Sequence, residues 1–430
     1  MELRFTDKEI SAWGGLGFLK KMLDSSGFFK LLTQIPLPVQ GSNRGHDPIQ
    51  LIVQFMSSIW CGANRYAHLD VMRFDTTILK LFGWEKKPEH KAFQRYFNKF
   101  NLENSNNVFG KIYPWFFTNL KFDNFTLDID SSVLTRYGEQ EAATKGYNKS
   151  KPGRNSHHPF LAFISDFEMV VNFWLRPGNS SASNNFQAFL EESLRFLGGK
   201  KIGLLRLDSG FYDQKIFHYL EKVNPINYIV ATPMYATIQR KIQAQNQWIE
   251  IEKGIDIVEF QYQAQDWEQS RRMIAVRRLI KKHPKSVGKQ LSLFADEVEI
   301  NGYRYTCYIT SLELPMAEVW RLYRGRANCE NKIKELKYDY GLDKINEQSF
   351  DATEATLRFM TIAYNLMSLF KIMVINSPVK HRLSTLRHKI LAIPASITQN
   401  GENIIIEMAL HMQRRQWIKK LWDTEVDFKT

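Results

Sequence analysis

The sequence contains few cysteines. Its 430 residues include three, Cys61, Cys307 and Cys329, which are far apart and form no CxxC pair. An odd number of dispersed cysteines supports neither a disulfide framework nor a zinc knuckle. The sequence therefore excludes small disulfide-stabilised and zinc-finger proteins, and it indicates a reducing cytoplasm.

A long uninterrupted hydrophobic run is also missing from the sequence. The most apolar stretch, residues 359–375, is interrupted by Asn365, Ser368 and Lys371, and the opening segment MELRFTDKEI lacks the apolar region of a signal peptide. We therefore expect the apolar stretch to be a buried helix, and we expect no membrane among the partners.

Acidic residues are fewer than basic residues. The chain has 45 Asp and Glu residues against 58 Lys and Arg, which gives a net charge of +13 and a pI near 9.4. This balance favours a polyanionic partner such as nucleic acid, although charge alone does not distinguish DNA, RNA and acidic lipid. The length and the 44% hydrophobic content predict two to four structural units with an ample core.

The apolar pattern changes along the chain. Helical spacing gives way near Phe125 to short β-like runs, and the order β, β, β, α, β up to Asp208 predicts a mixed α/β core. The predicted regions are a helical N-terminal region (1–122), the first part of the core (123–234), a β-rich insertion (235–312), the second part of the core with a helix from about Met316 to Tyr340 (313–376), and a basic helical C-terminal region (377–430).

Aspartates lie near the ends of two predicted strands. The two-residue period of a strand places Asp128 and Asp130 on one face, about 6.6 Å apart. Asp208 ends another apolar strand, and Gly210 permits a sharp exit after it. Carboxylates on neighbouring strands of a basic protein suit Mg²⁺, which completes its shell with water and phosphate oxygens. A solvated acidic strand end is the alternative.

A third acid lies in the segment YRGRANCENKIKELK. Tyr323, Arg326, Glu330, Lys334 and Lys337 are spaced so that all project from one face of a helix, over about 21 Å. Spacing alone favours a salt-bridged solvent face. The spacing does not account for which residue types occupy these positions.

Four of these residues reproduce a known signature. Tyr323, Arg326, Glu330 and Lys337 match Tyr-x2-Arg-x3-Glu-x6-Lys, the signature of one large branch of bacterial insertion-sequence transposases of the DDE type. The segments LDIDSS, GEQEAATKGYNKSKPGRNSHHPFLAF and RLDSGF add to the similarity. The sequence therefore resembles the group 1 DDE transposases over most of its length.

The resemblance implies a ribonuclease H-like mixed-sheet core with a β-rich insertion before the third acid. It implies a catalytic, metal-binding triad of Asp130, Asp208 and Glu330, with Asp128 as a further candidate ligand. Asp130 is preferred to Asp128 because related enzymes follow the first Asp with small hydroxyl residues, as Ser131 does here. The predicted cofactor is a pair of Mg²⁺ ions about 3.5 to 4 Å apart, for which Mn²⁺ could substitute.

A basic loop, KGYNKSKPGRNSHH, follows the first acidic strand. Its cations could hold DNA phosphates without reading sequence, and a solvated surface loop is the alternative. Adjacent histidines rarely converge on one ion, so we expect no zinc at His157 and His158. The predicted DNA-binding residues are Tyr323, Arg326, Lys334 and Lys337 of the helix and Lys145, Lys149, Lys151 and Arg154 of the loop.

The N-terminal helical region is a candidate reader of the DNA ends, and a helical unit that packs on the core is the alternative. No helix-turn-helix pattern is clear enough to name a recognition helix. The basic and histidine residues available there are Arg44, His46, Arg65, His68, Lys86, Lys87, Lys91 and Arg95.

The implied activity is metal-dependent DNA strand cleavage at insertion-sequence ends, followed by transfer of the freed 3′-OH into target DNA. The implied partners are double-stranded DNA, both terminal inverted repeats and target, and a second copy of the chain in the paired-end complex, at the bacterial nucleoid. Two alternatives stay open: a ribonuclease H-like nuclease without strand transfer, and a non-catalytic DNA-binding protein derived from a transposase.

Overall fold

A mixed β-sheet forms the centre of the protein. The computed structural model describes residues 1–41, 45–280, 297–400 and 403–426. In chain order the strands are β1 (Phe125–Ser131), β2 (Leu134–Thr135), β3 (Thr144–Lys145), β4 (Asn155–His157), β5 (Phe160–Ile164), β6 (Met169–Trp174), β7 (Ile202–Leu207), β8 (Tyr228–Ala231), β9 (Ile249–Glu252), β10 (Ile255–Tyr262), β11 (Arg271–Leu279), β12 (Val298–Ile300), β13 (Tyr303–Thr310), β14 (Ala395–Asn400) and β15 (Asn403–Met408).

Helices lie before, between and after these strands. They are α1 (Leu16–Ser26), α2 (Phe28–Gln34), α3 (Pro48–Trp60), α4 (Leu69–Arg73), α5 (Thr76–Phe82), α6 (His90–Phe97), α7 (Leu102–Asn119), α8 (Phe186–Leu197), α9 (Gln214–His218), α10 (Ala236–Gln243), α11 (Met316–Arg324), α12 (Ala327–Tyr338), α13 (Phe350–Phe370), α14 (Leu383–Leu386) and α15 (Met412–Asp423). Short 3₁₀ turns (Tyr66–His68, Ser209–Phe211) and π turns (Tyr219–Val223, Lys371–Ile375, Arg387–Leu391) complete the helical structure among the described residues.

The strand order confirms the predicted ribonuclease H-like core. In the main sheet the order runs β6-β5-β1-β7-β8. β5 and β6 are antiparallel to their neighbours, whereas β7 is parallel to β1 and β8 is parallel to β7. With α8 between β6 and β7, this is the order of three strands, a helix and a fourth strand that the sequence predicts.

The β-rich segment predicted for 235–312 extends the same sheet. Beyond β8 the order continues β13-β11-β10-β9, and β12 pairs with β13. Asn301 and Gly302 adopt positive φ angles of 51° and 79° in the turn between β12 and β13, as expected for a two-residue hairpin. The segment also contains α10, which the sequence analysis did not predict.

The two faces of the sheet carry different helices. Alternation along β1 turns Leu127 and Ile129 towards a large core that includes α7, α8 and α13, and it turns Asp128 and Asp130 to the opposite face. On that opposite face, a second and smaller apolar cluster contains Val319 of α11 and Leu204 of β7. The acidic face of β1 therefore lies on the side of α11 and α12.

The apolar run near residue 360 forms a buried helix, as predicted. Phe350–Ile375 is long and apolar enough to cross a membrane by length and composition, but 78% of its apolar window is buried inside the protein. Its helix α13 packs against β6, α3 and α7, and Trp60 donates from Nε1 to the Ala363 carbonyl (3.0 Å). The N-terminal helices and the core thus share one hydrophobic interior.

The C-terminal region departs from the helical prediction. β14 and β15 form an antiparallel hairpin between α14 and α15. The run of Ile404, Ile405 and Ile406 is β-branched and favours a strand, so the signal was in the sequence. The region is therefore helical with an inserted hairpin.

Candidate active site

A buried ion pair joins the two central strands. β1 and β7 run parallel with Asp128 beside Arg206, and Arg206 donates from Nε to Asp128 Oδ1 (2.6 Å) and from Nη2 to Oδ2 (2.8 Å). The two side chains are 5% and 0% exposed. Because both oxygens of Asp128 already accept from a guanidinium, this carboxylate suits a structural role better than metal ligation. The pairing thus favours Asp130 over Asp128 as a metal ligand.

Two residues further along each strand lie Asp130 and Asp208. Neighbouring strands are about 4.8 Å apart, so both carboxylates lie at one edge of the sheet. Asp208 Oδ1 accepts from the Gly210 amide (3.0 Å) in the turn after β7. Burial raises the pKa of Asp130 to about 7, with the Asp208 carboxylate adding to the rise and Arg326 opposing it. A buried carboxylate of this kind requires a cation to stay ionised.

Arg326 lies between these two carboxylates. Its Nη2 is 3.0 Å from Asp130 Oδ1 and 3.9 Å from Asp208 Oδ2. Burial would lower the pKa of Arg326, but the Asp130 carboxylate raises it well above the ordinary value. Nε and Nη2 find no hydrogen-bond partner of good geometry among the described residues. Arg326 therefore contributes positive charge and keeps donor capacity for another anion.

The predicted single helix is divided at Arg326. Gly325 and Arg326 separate α11 from α12, and Asn328 and Cys329 donate their amides three residues back rather than four. Tyr323 donates from Oη to the Leu207 carbonyl (3.3 Å), next to Asp208. The junction between the two helices is thereby positioned against the end of β7.

Glu330 follows Arg326 on α12. Glu330 lies in the first turn of α12. Lys337, seven residues further on and therefore on the same face of α12, donates to the Val133 carbonyl beyond β1 (3.0 Å). Glu330 is half-buried, and no hydrogen bond or ion pair joins its carboxylate to another residue of the described ranges. Glu330 thus lies between two contacts to the acidic edge of the sheet. Lys334 is exposed on α12.

The donor set fits a divalent cation at Asp130 and Asp208. Mg²⁺ is commonly bound by one or two carboxylates, with water and phosphate completing its shell, and these two acids lie at one edge of the sheet, where Asp130 is buried and the Asp208 side chain is 30% exposed. Within the described part of the chain, however, no group of three or more His, Cys, Asp or Glu side chains is positioned to hold a metal. The structure brings together two of the three predicted acids, with Arg326 between them.

Comparison with known proteins identifies the family. A model of the transposase DDE domain group 1 family matches residues 1–424. The chain belongs to this family of transposases. Among solved structures it is similar to a piggyBac transposase synaptic complex with hairpin DNA, with 9% identity, a TM-score of 0.45, and coverage of 89% of this chain and 81% of that chain. The chain matches none of the curated proteins.

Membership of the DDE transposase family confirms the resemblance drawn from the sequence. At this level the protein is a DNA transposase, and DNA is its partner. The roles of individual residues remain predictions, to which the geometry at the sheet edge now adds specific contacts.

The two ends of the predicted basic loop belong to a small separate sheet in this transposase. β2 and β3 flank β4, with Thr135 and Thr144 both opposite Ser156. The strands are only two or three residues long, and the sequence analysis did not predict them. The four predicted phosphate contacts are all exposed: Lys145, Lys149, Lys151 and Arg154.

His157 has a structural role at the end of β4. His157 Nδ1 accepts from Arg136 Nε (3.1 Å) and its Nε2 lies 2.9 Å from the Glu141 carbonyl. Burial lowers the pKa of His157 to about 4 and also lowers the pKa of His158. Both ring nitrogens of His157 therefore contact protein groups in this structure.

The basic side chains of the N-terminal region lie largely on the surface. His46 is half-buried, and Arg44 lies outside the described residues. Lys86 Nζ donates to the Gly45 carbonyl (2.6 Å), and Arg95 lies 3.4 Å from Glu89. The exposed members of the predicted set are Arg65, His68, Lys86, Lys87, Lys91 and Arg95. Their role in reading DNA ends stays a prediction.

Sequence reasoning missed the positioning role of Arg206. Besides Asp128, Arg206 donates to the Leu322 carbonyl of α11 (2.6 Å) and to Ser165 Oγ (2.9 Å). A lone arginine in the apolar strand IGLLRLD was the available signal, because a buried charge requires a partner. Gly325 makes room for it: a Cβ there would lie 2.4 Å from Arg206 Nη1.

Gly325→Ala should therefore destabilise the protein. The added methyl group would push the Arg206 guanidinium away from the Leu322 carbonyl, and overpacking of this kind costs about 1 to 3 kcal/mol. Urea denaturation followed by tryptophan fluorescence measures the change. We expect a lower midpoint for this variant.

The matched control is Gly110→Ala in α7. A Cβ at Gly110 meets nothing within 4 Å, and alanine has the higher helix propensity by up to about 1 kcal/mol. This variant should be as stable as the parent or more so. Equal stability of the two alanine variants would show that the space beside Arg206 is unimportant.

Proposed function

We propose that this DDE transposase cleaves DNA strands at the ends of an insertion sequence and joins the freed 3′ ends to target DNA. The observation that carries the proposal is the arrangement at the sheet edge. Asp130 and Asp208 lie at the ends of adjacent parallel strands, Arg326 bridges them, and α12 places Glu330 one turn beyond.

The proposed reaction has two phosphoryl transfers. Water attacks the phosphodiester at the element end, a new P–O bond forms, and the bond to the 3′ oxygen breaks. The products are a 3′-OH on the element and a 5′-phosphate on the flanking DNA. That 3′-OH then attacks a target phosphodiester, joining element to target and releasing a 3′-OH on the target strand. Neither step requires a covalent enzyme intermediate.

The acids and Arg326 have distinct roles in this proposal. Asp130 and Asp208 would hold Mg²⁺ or Mn²⁺, which when bound activates the attacking oxygen and stabilises charge on the phosphate. Arg326 is buried and retains unsatisfied donors at Nε and Nη2, so it suits a phosphate oxygen once DNA enters. Arg326 would then move away from Asp130 and Asp208 and contact a phosphate of the DNA instead.

Glu330 would complete the acidic site after this exchange. Neither contact from Arg326 to the two aspartates has good hydrogen-bond geometry, so the guanidinium is held mainly by charge. Because Arg326 lies beside both aspartates just before α12, movement of its side chain towards a phosphate would leave room at the strand ends for the Glu330 carboxylate. Lys337 keeps its contact to Val133 and holds α12 in place.

The implied partners follow from this chemistry. We propose that terminal inverted repeats and target DNA bind across the sheet edge, and that a second copy of the chain takes part when two ends are paired. Each end would then be cleaved by a site with its own set of acids.

The direct experiment incubates purified protein with linear DNA carrying the encoding gene and its flanking sequence, in Mg²⁺, Mn²⁺ or EDTA. The proposal predicts metal-dependent nicks at discrete ends and joined products. Nicks without joining would indicate a nuclease, and bound but uncut DNA would indicate a non-catalytic binding protein. Either of these results would contradict the proposed function.

A further inference from the structure

The small sheet of β2, β3 and β4, here called the mini-sheet, extends from the catalytic strand. Only Ser132 and Val133 separate β1 from β2, so the chain leaves Asp130 and enters the mini-sheet almost at once. Tyr137 lies six residues after Ser131, a stretch that spans at most about 22 Å when fully extended. The start of β2 at Leu134 therefore lies within about 14 Å of Asp130, and a DNA strand bound at Asp130 lies beside the mini-sheet.

The mini-sheet is firmly attached to the catalytic region. Lys337 of α12 holds the Val133 carbonyl at its start, and the buried Arg136 donates to His157 Nδ1 (3.1 Å) and to the Asp343 carbonyl (3.3 Å). The backbones at Gly146 and Gly178 approach so closely that a Cβ at Gly146 would lie 1.8 Å from the Gly178 carbonyl oxygen. The mini-sheet can therefore present its side chains in fixed positions.

Two tyrosine rings project from the mini-sheet into solvent. Tyr137 is 75% exposed and Tyr147 is 71% exposed. In the described part of the chain neither ring packs on another aromatic ring or beneath a cation. Tyrosine is intermediate in its tendency to be buried, and an exposed ring offers an apolar face and a polar hydroxyl to a binding partner. The faces of both rings are therefore available to a ligand.

Both rings leave the mini-sheet at the same end. β2 and β3 run in the same direction on either side of β4, and each tyrosine follows the end of its strand by two residues. Asn148, next to Tyr147, donates from Nδ2 to Thr135 Oγ1 (3.0 Å), which draws the two segments together. Both tyrosines therefore follow the same end of the mini-sheet, and we call this pair of residues the aromatic platform.

The charge around the aromatic platform is positive. The exposed cations are Lys145, Lys149, Lys151 and Arg154. The acids in the same stretch are Glu139 and Glu141, and the Glu141 carboxylate accepts from the Phe350 amide (2.8 Å) at the start of α13. Aromatic rings interleaved with cations are typical of surfaces that bind single-stranded nucleic acid, where rings stack on bases and cations contact the backbone.

We propose that Tyr137 and Tyr147 stack on unpaired bases of the DNA strand that enters the active site, an inference that rests on the proposed function. Lysine and arginine alone suffice to bind the backbone of intact duplex. A ring face gains a partner only where a base is unstacked from its neighbours. The aromatic platform thus selects DNA that is opened next to the cleavage position.

The test measures affinity in EDTA, so that cleavage has no influence on it. Fluorescein-labelled oligo-dT and a duplex of the same length are titrated with the parent protein and with the double variant Tyr137→Ala/Tyr147→Ala. We expect affinity for oligo-dT to fall about tenfold or more, whereas affinity for the duplex changes less than about twofold. Unchanged affinity for oligo-dT, or an equal loss for both DNAs, would overturn the proposal.

Two further variants separate stacking from folding. Tyr137→Phe/Tyr147→Phe keeps the rings and should bind oligo-dT as the parent does. Tyr235→Ala removes another tyrosine that is 59% exposed and should also bind normally. Loss of binding in either variant would overturn the proposal. Because no metal is present, failure here leaves the proposed cleavage intact, and failure of cleavage leaves the binding result intact.

Discussion

Glu330→Gln should abolish DNA cleavage while leaving DNA binding intact. Gln has the same shape but a much weaker affinity for Mg²⁺ than a carboxylate. Metal-assisted phosphoryl transfer draws several kcal/mol from correct coordination, and about 1.4 kcal/mol corresponds to a tenfold rate. We therefore expect a loss on the order of 10³-fold. Nicking is measured on gels, and binding is measured by mobility shift of the same DNA.

The half-buried Glu330 makes no hydrogen bond or ion pair within the described part of the chain, so its replacement should leave stability unchanged. Glu318→Gln is the matched control, because Glu318 is exposed and pairs with Arg321 (2.7 Å) on the neighbouring helix α11. It should cleave as the parent does. A fully active Glu330→Gln variant would exclude Glu330 as the third acid.

The second large effect is expected on the free energy of unfolding, when Arg206 is replaced. Arg206→Met leaves Asp128 buried without its guanidinium, and breaking one partner of a buried ion pair costs about 3 to 5 kcal/mol. The variant also loses the donors to the Leu322 carbonyl and Ser165, which position α11. We expect a markedly lower urea midpoint, with cleavage reduced because the α11–α12 junction loosens.

Two comparisons make this result specific. Arg304→Met breaks an ion pair to Glu299 that is 36% and 58% exposed, and such pairs contribute at most about 1 kcal/mol. The double variant Asp128→Leu/Arg206→Met removes both buried charges and should recover part of the loss. An Arg206→Met protein as stable as Arg304→Met would contradict a structural role for the buried pair.

The sequence predicts the acidic edge because local patterns determine it. Alternation along β1 and the apolar run before Asp208 indicate two strands with carboxylates at their ends, and the signature from Tyr323 to Lys337 identifies the helix that contacts them. The predicted order of strands and helix is confirmed in the central sheet. These features depend on residues close together in the chain.

Features that depend on tertiary partners were not predictable. β2, β3 and β4 are too short to show a hydrophobic period, and they pair only because the chain folds back between Ser131 and Phe160. The pairing of β13 with β8, which joins the β-rich segment to the core sheet, has no local signal. The contacts of Arg206 with Asp128 and of Arg326 with Asp130 join segments that are far apart in the chain, and helical periodicity does not reveal them.

The central claim is that Asp130, Asp208 and Glu330 bind divalent cations together when DNA is present. Anomalous diffraction at the manganese edge, from crystals of the protein with Mn²⁺ and uncleaved DNA, tests it most directly. We predict a manganese peak at the edge of the sheet bound by Asp130 and Asp208, with the Glu330 carboxylate turned in and Arg326 on a DNA phosphate. A peak elsewhere, or Glu330 directed away from the metal, would contradict the claim.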